Sequence, residues 1–463
     1  MSQTKNVAPV ALAGLVVLAA LALALSPAPA GVAPGVMPAA ALSLFAIGFW
    51  ATGVLPEHLT ALIFFLLAML FAVAPPEVAF AGFQSAAWWL VLGGLFIGLA
   101  VQRTGLGERI AVSLMRLFGG SYSHVLAGLA VVSVALAFIM PSTMGRVLIL
   151  IPVVNALAER LGFAPGSRGR NGMVLTATLA TFTPACAILP ANVANIVLAG
   201  AAENLHGITL TYGSYLLLQF PVTGVLKTAA VVALAWLLFH DKVRGRRTAD
   251  RAAPRLSADE WRLSLILAVA LALWMSDFLH GINAAWVALG AAVVCLLPRI
   301  GVLPSSVFHQ ELRVGPLFYV AGILGMGQVV ATSGVGDIMG RFLIDLVEFV
   351  PGADAYNFGA LVVASVSLLV ATSVPGLPAV LSPLAEDIAG ASGLPLLTVL
   401  MTQAIGYSTV IFPYQLPPLV VAMQMGGVRL ASCLKITGAL LVVTLVVLTP
   451  INYLWWRWLG YLG

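Results

Sequence analysis

Of the 463 residues, 61% are hydrophobic and 8% charged, and the mean hydropathy of +1.05 leaves too few charges to cover a soluble surface of that size. The sequence reads as an all-α polytopic membrane protein, with no polar stretch long enough for a separate soluble domain. Its net charge of +5 lies in short loops between apolar runs, a topology signal that argues against nucleic-acid binding.

The first apolar run, about 7–27, follows Lys5 and ends in SPAPA, so it resembles a signal peptide. It is longer than a usual signal core, and an uncleaved first span with the N-terminus in the cytoplasm is preferred. Runs of spanning length follow at about 37–54, 58–74 and 84–101. Residues 138–152, FIMPSTMGRVLILIP, then place Pro141, Ser142, Thr143, Gly145 and the charge of Arg146 inside an oily segment. Free backbone groups in hydrocarbon cost several kcal/mol each unless protein or a wet cavity satisfies them, so this break is expected at the tip of a re-entrant hairpin, about 123–158. A long run at 172–202 is broken by Pro184 and Pro190, and a span at 213–239 leads to a basic linker.

Beyond the linker the order repeats: spans at 263–280, 283–298 and 315–332, a hairpin at about 358–392, a run at 396–426 broken by Pro413, Pro417 and Pro418, and a last span at 436–454. The expectation is eleven spans and two hairpins. The second tip, LVATSVPGLPAVLSP at 369–383, keeps the spacing of the first, Ser373 to Pro383 matching Ser142 to Pro152. TGLGERIAVSLMRL from Thr104 also matches SGVGDIMGRFLIDL from Ser333. Five spans separate the hairpins, so the halves face opposite sides, as in an inverted-repeat carrier of alternating-access type. The predicted organisation is an N-terminal span (1–36), a first repeat (37–240), a cytoplasmic basic linker (241–262) and a second repeat (263–463).

With the N-terminus cytoplasmic and the C-terminus periplasmic, all of the 22 Lys and Arg except Arg146, Lys227, Arg341 and Arg457 fall on the cytoplasmic side. An inner-membrane location follows from that bias. Cys186, Cys295 and Cys433 have no ligand spacing, so neither a disulfide nor a metal site is expected. No catalytic motif is present, which argues against an enzyme; a membrane-embedded enzyme would need paired catalytic groups at depth.

WATGVLPEHLTALIF from Trp50, LVLGGLFIGLAVQRTGLGERIA from Leu90, the two polar tips and the two proline-broken helices together resemble the divalent-anion:sodium symporter family of dicarboxylate, citrate and sulfate carriers, in the ion transporter superfamily. That resemblance implies a homodimer in the bilayer whose hairpin-bearing domain moves as an elevator, a small anion as substrate and Na+ as coupling ion. The family carries Ser-Asn-Thr at each tip, holding sodium and the substrate carboxylate. Here the first tip reads Ser142, Thr143, Met144 and the second Ser373, Val374, Pro375, so the motifs have diverged. The asparagine-bearing breaks survive as Ala191 to Asn195 and as FPYQLPPL, with Leu419 in place of the asparagine.

The expected anion contacts are Ser142, Thr143, Arg146, Asn195, Thr372, Ser373, Gln415 and Pro417, and the remaining cation ligands Ser142, Thr143, Ser373 and Gly376. Arg146 is expected to supply part of the charge that sodium supplies in relatives; its alternatives are to snorkel or to pair internally. Ser142, Thr143, Thr372 and Ser373 either meet ligand or cap the hairpin backbone. Asn195 and Gln415 either line the site or satisfy freed backbone groups at the breaks. Lys227 is either a second anion contact or held by an internal partner, and Thr176, Thr178, Thr181 and Thr183 form either a polar stripe or bonds to their own helix. Tyr414 is as readily a packing aromatic, and Trp455, Trp456 and Trp458 form an interfacial belt. No Asp or Glu lies mid-span, which disfavours proton coupling. The readings are an anion carrier with weakened or absent sodium coupling, and an ion exchanger or oxyanion exporter of the same superfamily.

Overall fold

A computed structural model describes residues 7–29, 32–115, 121–243, 256–304 and 306–462; Lys5, Arg116 and the linker residues 244–255, part of the topology argument, lie outside them. In chain order the helices are α1 (Val7–Leu25), α2 (Val36–Thr52), α3 (Glu57–Leu70), the single turns α4 (Pro76–Ala79) and α5 (Ala81–Gln84), α6 (Ala86–Thr104) and α7 (Leu106–Met115). Then come α8 (Tyr122–Ile139), α9 (Thr143–Arg160), α10 (Arg168–Phe182), α11 (Val193–His206), α12 (Tyr212–Gln219) and α13 (Lys227–Phe239). The second half holds α14 (Ala258–Met275), α15 (Asp277–His280), α16 (Ala284–Leu296), α17 (Val307–Gln310), α18 (Gly315–Ser333), α19 (Val335–Val347), α20 (Asp354–Ala371), α21 (Gly376–Leu381) and α22 (Ala385–Ser392). It closes with α23 (Leu396–Tyr407), α24 (Pro417–Gly426), α25 (Leu430–Val443) and α26 (Thr449–Trp458). Among the described residues there is no strand.

Among these rods α6, α8, α12–α13, α18, α20 and α25–α26 are unbroken, apolar and at least 18 residues long, enough to span. Both first arms of the hairpins are among them. Three expected spans are shorter: α2, α3 and α16 have 17, 14 and 13 residues. Local structure ends them early, because Gly53 takes a left-handed φ of +61° after α2, Ala72 one of +49° after α3, and Pro298 follows α16.

Two patterns recur between the halves. Thr104 and Ser333 close α6 and α18, each accepting from the backbone N–H two residues on at 3.4 Å, across Gly105 and Gly334 with φ of +75° and +86°. The repeated Thr/Ser-Gly sequence is therefore a repeated turn, one that needs glycine. Each half also carries a long helix with a π-helical segment, Phe220–Leu226 ahead of α13 and Thr444–Leu448 ahead of α26. Such bulges shift the register of the helix and often mark working sites.

Helix α18 packs on α2, α3 and α6, and α6 in turn on α14 and α16, whereas α10, α13 and α24 pack around the first hairpin and α23 and α26 around the second. The main hydrophobic core is continuous across both groups. Helix α6 lies so close to α16 that a Cβ at Gly93 would sit 2.7 Å from the Ala288 carbonyl carbon, which only backbone movement would relieve. Gly93→Val is expected to lower stability by about 1–3 kcal/mol, read as a fall in thermal unfolding temperature in detergent, while Gly290→Val, facing open space, leaves it near the parent value.

Candidate functional site

Helix α8 stops at Met140 because Pro141 cannot continue it, and Ser142 starts α9 by accepting from Gly145 N–H at 3.1 Å. One turn on, Arg146 is fully buried. Its guanidinium folds back toward the tip. Nη1 donates to the Met140 carbonyl, and Nη2 faces Thr143 Oγ1 at 3.0 Å and the carbonyls of Thr181 and Ala191 at 3.3 Å each. One side chain thus joins the first hairpin tip to both lips of the first helix break. Arg146 pairs internally, with backbone oxygen, and its Nε has no partner.

The first break runs through two short 3-10 turns, Pro184–Ala187 and Leu189–Ala191, before Asn192 caps α11. Its carbonyls, freed by Pro184 and Pro190, are met by side chains. Asn195 donates to Ala185 O and Ile188 O, both at 2.8 Å, and Tyr215 donates to Cys186 O at 2.8 Å. The Asn195 oxygen accepts from Tyr407, whose hydroxyl also meets that of Tyr215 at 2.9 Å. Tyr407 ends α23, so this network links the two breaks. Asn195→Ala removes both amide bonds and orphans the Tyr407 donor, and each buried group left unpaired costs about 1–3 kcal/mol. Thermal unfolding of that variant is expected several degrees below the parent, with Asn195→Asp intermediate.

The second half solves the same problem with different residues. Gln415 donates to Leu369 O at 2.7 Å and accepts from Ile411 and Phe412 N–H, both at 2.8 Å, while its own carbonyl receives Val374 N–H at 3.2 Å. It ties the second tip to the second break, as Arg146 ties the first. Tyr414 donates to Val370 O at 2.5 Å and stacks on Phe412 at 5.7 Å, both rings exposed. Ser373 Oγ is 3.3 Å from Tyr319 of α18, and Thr372 bonds back to Leu368 O. Gly376 begins α21 with its N–H on Ser373 O, and Pro417 begins α24, exposed.

The second break also holds a cation. Lys227, 1% exposed and first in α13 after the π segment, donates to Ser408 Oγ at 2.9 Å and Thr409 Oγ1 at 2.8 Å. Its neighbour Thr228 reaches Thr183 of the first break at 3.1 Å. Among the described residues neither Arg146 nor Lys227 forms an ion pair with a carboxylate. Each break therefore receives a buried basic side chain that has no carboxylate partner among the described residues.

Of the expected residues, Ser142, Thr143 and Arg146 gather at the first tip, and Thr372, Ser373, Gly376 and Gln415 at the second. Asn195 and Gln415 are spent on backbone. In the threonine stripe, Thr178 bonds its own helix at Val174 O, Thr183 meets Thr228, and Thr176 and Thr181 keep buried hydroxyls without partners. Sequence reasoning missed Tyr215, Tyr407, Ser408 and Thr409. The last two were findable as a polar pair just ahead of the Phe412–Pro413 break.

The family model described as "Sodium:sulfate symporter transmembrane region" matches residues 7–462. The chain is 26% identical to the chloroplastic dicarboxylate transporter 2 of Spinacia oleracea over 83% of its own length and 71% of the relative. It is 24% identical to the L-tartrate/succinate antiporter of Escherichia coli K12, with 81% of this chain and 80% of the relative covered. A solved structure, the YdaH transporter of Alcanivorax borkumensis, superposes with a TM-score of 0.59 at 15% identity, covering 98% of each chain, and so shares the fold.

Proposed function

Since the chain belongs to the sodium:sulfate symporter family, as the match over residues 7–462 establishes, it is a multi-pass anion transporter, and we propose that it exchanges small dicarboxylates of the succinate class without sodium. The observation that carries this reading is the placement of Arg146, whose guanidinium fills a cage of main-chain oxygens from the hairpin tip and both lips of the break. Such a cage of hard oxygens suits a small cation, and here the cation is covalently attached. Lys227 plays the same part on the hydroxyls of Ser408 and Thr409.

Exchange follows from charge. Two fixed cations at membrane depth call for a dianion, and the unpartnered Nε of Arg146 leaves a donor for one carboxylate. A sodium symporter releases its cations with the substrate and returns empty at little electrostatic cost. This site cannot release them, so returning empty would carry unpaired charge through the membrane, at a cost of several kcal/mol. The loaded site is neutral and moves. Divergence of the Ser-Asn-Thr tips fits the same reading, because a built-in cation needs fewer side-chain ligands.

The cytoplasmic bias of Lys and Arg supports an inner-membrane protein with the N-terminus inside and the C-terminus periplasmic. The recurring hairpin, break and π-interrupted helix support an inverted repeat, with the domain that carries both hairpins sliding as an elevator in a homodimer. Counterflow in proteoliposomes tests the reading. Labelled succinate should enter only vesicles preloaded with dicarboxylate, at equal rates in sodium and choline media. Uptake into empty vesicles driven by a sodium gradient overturns it.

A further inference from the structure

Away from the breaks, α19 bridges over the second hairpin. Its apolar residues Ile338, Phe342 and Leu346 recur every four positions, while Asp337, Arg341 and Asp345 form the adjoining polar stripe, the pattern of a helix lying in the membrane interface. Phe342 and Leu346 are 70% and 69% exposed. Between α19 and the hairpin lies an apolar cavity of about 1070 Å³, walled by residues such as Met339, Leu343, Gly359, Val363, Leu381 and Leu384. In the first half the counterpart helix α7 packs along α8 and α9 instead, whereas α19 meets its hairpin mainly near Gly340 and Asp387.

An apolar cavity beside the spanning helix α20, its mouth lined by exposed apolar side chains, meets hydrocarbon rather than water. Its rim adds a charge preference. Asp345, Glu348 and Asp354 flank the end where Leu346, Val347, Ala355 and Tyr356 line the mouth, and among the described residues none of the three carboxylates is in an ion pair. We propose that this cavity is a binding site for one bilayer phospholipid with a primary-amine headgroup, its acyl chains between α19 and the hairpin and its ammonium against Asp345 and Glu348. The lipid supplies for α19 the apolar packing that α7 obtains from its own hairpin. An anionic headgroup would meet like charge at the rim.

Native mass spectrometry tests this on protein reconstituted in vesicles of equal phosphatidylethanolamine and phosphatidylglycerol and then extracted. The parent should retain one phosphatidylethanolamine. Gly359 has open space where a Cβ would stand, so Gly359→Phe and Gly359→Leu grow into the cavity without meeting backbone. Both should keep the parent's thermal unfolding profile in detergent and retain at least about tenfold less lipid. Asp345→Asn with Glu348→Gln should retain one lipid but without headgroup preference. The proposal is overturned by unchanged retention in both Gly359 variants or by a preference for phosphatidylglycerol. Complete disulfide formation between Phe342→Cys and Val363→Cys in native membranes also overturns it, because α19 itself then fills the space.

Discussion

Alanine at position 146 should abolish succinate exchange in choline medium, and sodium should restore part of it. The substitution removes the donor facing Met140 O, Thr181 O and Ala191 O and leaves Thr143 Oγ1 free, opening a set of oxygens within reach of a small cation. Each buried acceptor left unpaired costs about 1–3 kcal/mol, so the variant should also unfold at lower temperature. A sodium concentration 100 times the dissociation constant would return about 2.7 kcal/mol to the folded state. Sodium should therefore raise the unfolding temperature of Arg146→Ala and leave that of the parent unchanged. Arg146→Lys keeps the charge, but a compact ammonium cannot replace a planar fork that joins the tip to both lips, so low activity without sodium rescue is expected. An alanine variant with parental affinity in choline would remove Arg146 from the site altogether.

Methionine at position 227 should separate charge from packing. The thioether fills similar space, and Ser408 and Thr409 keep their bonds to Ile405 O at 2.9 and 2.7 Å, so folding should be little disturbed. What disappears is one fixed positive charge. At an effective dielectric constant near 20, unit charges at contact distance attract by up to about 4 kcal/mol, so dicarboxylate affinity should fall about 100-fold or more. A monocarboxylate, with one charge facing the lysine instead of two, loses less. The discriminating measurement is the ratio of inhibition constants for succinate and a monocarboxylate such as butyrate in counterflow; an unchanged ratio would assign Lys227 to structure alone.

The hairpins and breaks were legible because hydrocarbon makes polar and proline-rich stretches expensive, so Pro141 to Arg146 and Phe412 to Pro418 stand out against apolar runs. The Thr104 and Ser333 repeats were legible for a related reason, since a left-handed turn at Gly105 and Gly334 restricts the sequence. The lengths of α3 and α16 were less so, because hydropathy continues past the residues where the chain turns, Ala72 after α3 and Pro298 after α16.

By itself, then, the sequence determined an all-α polytopic membrane protein of this family, with its tips, its breaks and two cations placed in the apolar segments. Only the tertiary structure decided what those cations hold. Arg146 reaches carbonyls 35 and 45 residues away and Lys227 hydroxyls 181 and 182 residues away, and no local periodicity encodes such partners. The same holds for Asn195 and Gln415, whose amides are legible as polar groups at a break but whose commitment to backbone depends on which carbonyls the fold leaves free.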